Sequence, residues 1–329
     1  MDIGERITLG KSKIEVSRVG FGVHPIGPSR RNLPVEEAAG VMCYAYEAGI
    51  RFFDTAQFYQ TYHYLKAGLD LIQSSSWFDG MPVISSKSLA ESYEEMEEAI
   101  DEALEKTGLP FIDVFLMHQV TPGYRTNRAG AWQALLDARA EGKVKAIGIS
   151  THHQDLTEEA ADIPELDMVF CMYNYAGLGI RKGDTAGTPE GMQQAIQRCR
   201  DKGKGVYIMK VFGGGNLTGD YQKAARHVFI ELKDLIPAAM IGFTSRQEID
   251  DLRSLLAGTM EAAYNPSVDG KKLRVDREDC MGCGTCVRIC ASGAMHYSRI
   301  DGLAEIDYDK CVGCNYCAIA CPERAIVFW

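Results

Sequence analysis

Arg51-Phe-Phe-Asp54-Thr-Ala-Gln-Phe-Tyr59 opens with a short strand-forming run that ends on a carboxylate. Two later runs have the same form: Val83-Ile-Ser-Ser-Lys87 ends on an amine, and Asp113-Val-Phe-Leu-Met-His118 on an imidazole. Outward from these three, Ser17–Gly22, Lys145–Ser150, Met168–Tyr173, Gly205–Lys210 and Ala239–Gly242 also read as strands. Helical stretches separate them, including Val35–Ala48, Tyr93–Lys106 and Ala129–Glu141. In the second, Met96, Ala99, Ile100 and Ala103 recur at helical spacing and mark one apolar face. Successive βα units predict an α/β protein with a (β/α)8 TIM barrel over residues 1–257. A doubly wound sheet is the alternative, but no G-x-G-x-x-G turn follows an early strand.

Beyond the barrel the cysteines crowd together. Of eleven, only Cys43, Cys171 and Cys199 precede residue 280. The rest fall in two segments, Cys280-Met-Gly-Cys283-Gly-Thr-Cys286-Val-Arg-Ile-Cys290 and Cys311-Val-Gly-Cys314-Asn-Tyr-Cys317-Ala-Ile-Ala-Cys321. Each is C-x2-C-x2-C-x3-C, the spacing of bacterial ferredoxins that bind two [4Fe–4S] clusters. Three cysteines at this spacing wrap one cubane, and the fourth belongs to the other. Cys280, Cys283, Cys286 and Cys321 should therefore hold cluster I, and Cys311, Cys314, Cys317 and Cys290 cluster II. Structural zinc is disfavoured, since it prefers separated pairs. Ala294–Tyr297 and Leu303–Ile306 read as short strands between the motifs, giving residues 276–329 a small α+β ferredoxin-like fold. A polar linker, 258–275, with Pro266 and Gly270, joins the two domains.

Charge and composition narrow the class. A formal charge of −10 argues against nucleic acid, whose phosphates call for a basic face. No run approaches the roughly 18 apolar residues of a membrane span, and the first residues lack the form of a signal peptide. The cytoplasm is the expected location.

The strand-end residues suggest carbonyl chemistry. Reduction needs a hydride on carbon and a proton on oxygen. A phenol is too weak an acid near neutrality unless a neighbouring cation favours phenolate. Lys87 can supply that charge, held by Asp54, while His118 orients the carbonyl or relays the proton to Tyr59. Singly, each residue has a plainer reading as a helix cap, a packing ring or a surface amine. Four in order favour a site.

These residues, with Val16–Gly22 and Gly142–Ser150, resemble the aldo/keto reductase family over residues 5–255. With the ferredoxin unit, the chain resembles the iron–sulfur branch of that family. The resemblance implies that Asp54, Tyr59, Lys87 and His118 form a catalytic tetrad. It also implies NAD(P)H extended across the barrel top, with Gly22 and Val23 near the nicotinamide and Ser150 on its carboxamide. Phe212, Gly213, Gly214, Gly215 and Leu217 would cover the pyrophosphate, with Lys210 as a phosphate ligand. Gly242, Thr244, Ser245, Arg246, Gln247, Asp250 and Asp251 would hold the adenosine end, leaning to NADP over NAD. Three residues depart from the pattern: Thr151 replaces an Asn, Phe170 a Gln, and Met209 the Tyr that stacks on nicotinamide. His24, Trp77 and His152, or its neighbour His153, are candidates for the substrate pocket.

The leading expectation is an oxidoreductase acting on a small carbonyl or alcohol, coupled through the clusters to a ferredoxin-like partner. Hydride carries two electrons and a cubane one, so a flavin or a radical would be needed to bridge them. Two alternatives are a conventional NAD(P)H carbonyl reductase with structural clusters, and an electron-transfer subunit whose barrel is a docking scaffold. Neither the substrate nor the oligomeric state is legible.

Overall fold

Strand-forming runs and amphipathic helices alternate in the computed structural model as the sequence predicts. It describes residues 1–28, 30–183, 185–215, 217–261, 273–290, 293–311 and 316–328. A hairpin comes first, β1 (Arg6–Leu9) against β2 (Ile14–Ser17). Then follow β3 (Val19–Gly22), β4 (Phe52–Asp54), β5 (Val83–Ser88), β6 (Ile112–Met117), β7 (Val144–Thr151) and β8 (Met168–Met172). A two-residue hairpin, β9 (Arg181–Lys182) and β10 (Thr185–Ala186), precedes β11 (Gly205–Met209) and β12 (Ala238–Gly242). The parallel order β11-β12-β3-β4-β5-β6-β7-β8 closes the barrel.

Burial explains the alternation. Side chains pointing inward, among them Phe52, Val114, Leu116, Phe170 and Tyr207, fill the barrel, and Leu9 and Val16 from the N-terminal hairpin join them. Side chains pointing outward pack against the helices in a second, larger apolar layer. Between β7 and β8 the backbones approach so closely that a Cβ on Gly148 would lie 1.8 Å from the Met168 carbonyl oxygen. Helix termini are also written locally. The helix Tyr93–Thr107 starts at a Ser92/Glu95 capping box and stops at Gly108, φ +70°.

The C-terminal domain is smaller and pseudo-repeated. Helices Thr285–Ile289 and Tyr316–Ala320 lie together, and β14 (Met295–Tyr297) pairs antiparallel with β15 (Ala304–Ile306). Before these, β13 (Leu273–Val275) pairs antiparallel with β16 (Ile326–Phe328). The sequence reading put Leu273–Val275 in the linker. It forms a strand because its partner lies some fifty residues on, where local pattern cannot register it. Pro266, Gly270, Cys314 and Ala291 lie outside the described residues. Among the described residues no helix is long and apolar enough to cross a membrane.

Candidate active site

The C-terminal ends of β4, β5 and β6 bring three ionisable groups to one end of the barrel. Asp54 closes β4, Lys87 sits in β5, and His118 follows β6; all three are buried. The Lys87 ammonium donates to Asp54 Oδ2 at 2.7 Å and to the Thr55 carbonyl at 2.7 Å. Burial pushes the lysine below its ordinary range, and Asp54 opposes the shift. A short turn, Gln57–Tyr59, carries the phenol inward, and its hydroxyl stands 3.4 Å from His118 Nε2. The four predicted residues thus meet.

Arg128 fixes two of the strand ends. Its buried guanidinium donates to the carbonyls of Ala90, His118 and Ser88, at 2.9, 2.8 and 3.0 Å. Nothing in the local sequence marks this residue, because its partners lie ten to forty positions away.

One electrostatic expectation fails. Lys87 was expected to draw the phenol pKa down, but its nitrogen lies 4.9 Å over the Tyr59 ring centroid and bonds to Asp54. Burial, then the charges of Asp54 and Asp279, hold the hydroxyl well above the ordinary phenol range. His118 is pushed well below the usual imidazole range, first by burial and next by Lys87. The site therefore presents a neutral phenol beside a neutral imidazole.

Two of the three substrate-pocket candidates belong here. His24 lies flat on Tyr59, with ring centroids 3.9 Å apart and planes 1° off parallel. His152 lies close enough to lower the His118 pKa, and its own is depressed by burial and by Lys210. His153 is buried beside them, in a bridge to Arg181. Trp77 is misplaced by the sequence reading. It precedes β5, at the opposite end of the barrel, where it is 39% exposed and stacks on Tyr46.

A cleft of about 350 Å³ runs from Asp54 and Tyr59 across the barrel mouth. Gly22, Met209, Lys210 and Phe212 line its near part, and Gly214, Gly215, Gly242, Thr244 and Asp251 the far part. Its reach along the barrel mouth, from Tyr59 to Thr244, suits an extended ligand such as a dinucleotide. The remaining nucleotide candidates are placed otherwise. Val23 is buried in the core, and Ser150 Oγ, also buried, accepts from the Gln119 N–H at 3.1 Å. Gly213 and Leu217 pack together behind the glycine turn. Ser245 caps the helix Arg246–Ala257. Arg246 lies over the Tyr44 ring, whose hydroxyl donates to Asp250. Gln247 donates to Asp251.

The glycine turn is closed by its own backbone bonds. Gly213, Gly214 and Gly215 all have positive φ, which only glycine adopts without strain. The N–H groups of Gly213 and Gly215 are spent inside the turn, on the carbonyls of Lys210 and Phe212. Lys210 itself is at φ +62°. Burial lowers its amine pKa, with Asp279 opposing. Sequence reasoning missed Glu248, whose carboxylate accepts from the Thr244 N–H at 2.6 Å. Ser245-x-x-Glu248 is a capping-box pattern and could have disclosed it.

A separate small pocket in the C-terminal domain is lined by Cys280, Cys283, Cys286 and Cys321, the set expected for cluster I. Gly282 at φ +66° lets the loop turn there. Among the described residues no three candidate ligands converge on a single-ion position. Four sulfurs around a cavity suit a cubane, in which each cysteine binds a different iron. Cys290, Cys311 and Cys317 share the apolar core of the same domain.

That domain sits on the barrel mouth. Arg30 pairs with Asp276 and lies 3.9 Å from Asp279; Arg324 packs on Gly179; Val327 lines the cleft near Gly214.

The aldo/keto reductase family model matches residues 18–258, most of the chain. This chain belongs to the aldo/keto reductase family. A 4Fe-4S dicluster domain matches residues 279–326, so this family member is an oxidoreductase with a C-terminal iron–sulfur domain. Among its relatives is the NADH-specific methylglyoxal reductase of Escherichia coli, 24% identical over 65% of this chain and 69% of that protein. The L-galactose dehydrogenase of Arabidopsis thaliana is 25% identical over 70% of this chain and 73% of its own length. The Bombyx mori aldo-keto reductase, crystallised with NADP, shares the fold with a TM-score of 0.58 at 19% identity, over 80% of this chain and 89% of that one.

Proposed function

We propose that the protein interconverts a small carbonyl compound and its alcohol at Tyr59, using a nicotinamide nucleotide bound along the barrel-mouth cleft. The observation that carries this reading is the Tyr59–His118 contact beside the buried Lys87–Asp54 pair, at the edge of that cleft.

When bound, the nicotinamide supplies the hydride, which carries both electrons to the carbonyl carbon. Tyr59 donates its proton to the carbonyl oxygen, so an aldehyde or ketone becomes an alcohol. His118, 3.4 Å away, orients that oxygen and returns a proton to the phenolate from solvent. Asp54 keeps the Lys87 ammonium charged despite its burial, and the pair packs beside the Tyr59 ring. Alcohol oxidation runs the same steps backward.

The nucleotide proposed is NADH, in place of the NADP leaning. The Glu248 carboxylate engages both the N–H and the hydroxyl of Thr244, one of the anion donors expected at the adenosine end. A ribose 2′-hydroxyl can donate to that carboxylate, whereas a phosphate is repelled. The E. coli relative is likewise described as NADH-specific.

Two [4Fe–4S] clusters, held by the eight cysteines from Cys280 to Cys321, would supply one-electron exchange with a ferredoxin-like partner. Coupling to the nucleotide requires a flavin that takes both electrons from NADH in place of the carbonyl and passes them on singly. The seat of the cluster domain on the barrel mouth favours this coupling over a detached structural tail.

Anaerobic turnover of small aldehydes with NADH tests the reading. Tyr59→Phe should lose about 10²- to 10⁴-fold in kcat, the range for a general acid. An unchanged rate rejects Tyr59 as the proton donor. Clusters that stay oxidised, by EPR, in the presence of NADH, substrate and product reject the electron-transfer coupling alone.

A further inference from the structure

The first βα segment of the barrel links two regions that the sequence keeps far apart. At its start His24 lies against the Tyr59 ring, centroids 3.9 Å apart. A few residues on, Arg30 reaches the C-terminal domain, where Asp276 and Asp279 lie just before Cys280. The contact is screened from water: the side chains of Arg30, Asp276 and Asp279 are 13%, 4% and 17% exposed.

Between its two ends the described residues are tied together by backbone bonds and close packing. The Gly27 N–H donates to the His24 carbonyl, Arg31 N–H to Pro25, Asn32 N–H to Gly27 and Leu33 N–H to Ile26, all at 2.9–3.1 Å. Pro25 packs on Gly242, where a Cβ would lie 2.3 Å from Pro25 Cγ. Gly27 is pressed as closely on Thr61, its Cβ position 2.3 Å from Thr61 Cγ2. A turn bonded and packed in this way moves as a unit, so a restraint at Arg30 is felt at His24.

We propose that Arg30 is a positioning residue through which the iron–sulfur domain sets the reactive phenol: Asp276 and Asp279 hold Arg30, Arg30 fixes the segment, and the segment presses His24 flat on Tyr59. The barrel site is then complete only when the C-terminal domain is docked. This rests on the reading of Tyr59 as the reacting group. Asp279, Arg30 and Asp276 also act on the Tyr59 hydroxyl through their charges, which places the ion cluster within electrostatic reach of the phenol.

The test reads geometry rather than turnover. The full-length protein, with its clusters, is labelled with ¹³C at histidine Cε1. The signal of His24, one of seven histidines, is assigned by its loss in His24→Gln. Stacking on Tyr59 shifts it upfield, and Tyr59→Leu marks its unstacked position. Arg30→Ala and the double variant Asp276→Asn/Asp279→Asn should each move the signal most of the way to that mark. Arg277→Ala, which breaks the Arg277–Asp301 pair inside the C-terminal domain, should leave it in place. Iron near eight per chain and an unchanged circular dichroism spectrum confirm that each variant is folded.

A wild-type His24 signal in Arg30→Ala overturns the proposal. A shift in Arg30→Ala with a wild-type signal in the double carboxylate variant overturns the link to the C-terminal domain. If the stack behaves as expected but Tyr59→Phe turns over normally, the link stands and the assignment of Tyr59 as proton donor fails.

Discussion

The barrel and the C-terminal domain solve the problem of stability in different ways. The barrel encloses two large apolar layers and can seat a buried ion pair at one end. The smaller domain has a core of a few aliphatic side chains, and six of its eight motif cysteines are among the residues packed there. Domains this short bury a small share of their surface and are marginal on apolar burial alone. Ligation would add to what burial gives, as in small metal-folded domains. Chemistry in the barrel is an addition to a stable scaffold, whereas in the C-terminal domain cluster and fold are one cooperative unit.

Removing iron gives the largest expected effect. Chelation under oxidising conditions should abolish amide protection throughout residues 273–328 while the barrel strands keep theirs, by hydrogen exchange. Equal loss in both regions would break the comparison and make the molecule one folding unit.

Next comes the buried pair. Asp54→Ala leaves the Lys87 ammonium buried without its carboxylate and should cost about 3–5 kcal/mol in chemical denaturation of the barrel. Cluster absorbance should not change. A cost below about 1 kcal/mol would mean that Lys87 is neutral in the folded state.

Acid should distinguish the regions more gently. His24, His118 and His152 all have folded pKa values well below 6.5, burial being the first cause in each. The unfolded chain therefore takes up protons that the folded barrel refuses, and stability falls as pH drops below 6.5. The slope is at most about 1.4 kcal/mol per pH unit for each imidazole. Melting curves from pH 7.5 to 5.5 should show this, and His152→Gln should flatten it. A flat wild-type profile refutes the neutral-imidazole cluster.

Glu248→Gln should alter neither region's stability. It should raise the kcat/KM ratio of NADPH to NADH by on the order of tenfold, about 1.4 kcal/mol. An unchanged ratio places the nucleotide discrimination elsewhere.

The barrel was readable because its signals are local. Lys87 and His118 stand out as polar residues at the ends of apolar runs, and the eight strands keep their sequence boundaries to within a residue or two. The cysteine motifs were readable for the same reason, since one loop carries three ligands. Trp77 misled because an aromatic in a loop looks alike at either end of a barrel, and only the path of the chain assigns the end. Ser150 Oγ accepts from the Gln119 N–H, a partner that local pattern does not disclose.

The sequence by itself determined the alternation that closes a barrel, the four-residue constellation and the C-x2-C-x2-C-x3-C spacing of the cysteines. All depend on spacing along the chain, where residue type and periodicity act directly. Tertiary structure alone decided that Tyr59 stays a neutral phenol, that Glu248 covers Thr244 and that Arg30 meets Asp276. Burial, through-space charge and the docking of one domain on another depend on distances between segments that no local pattern records.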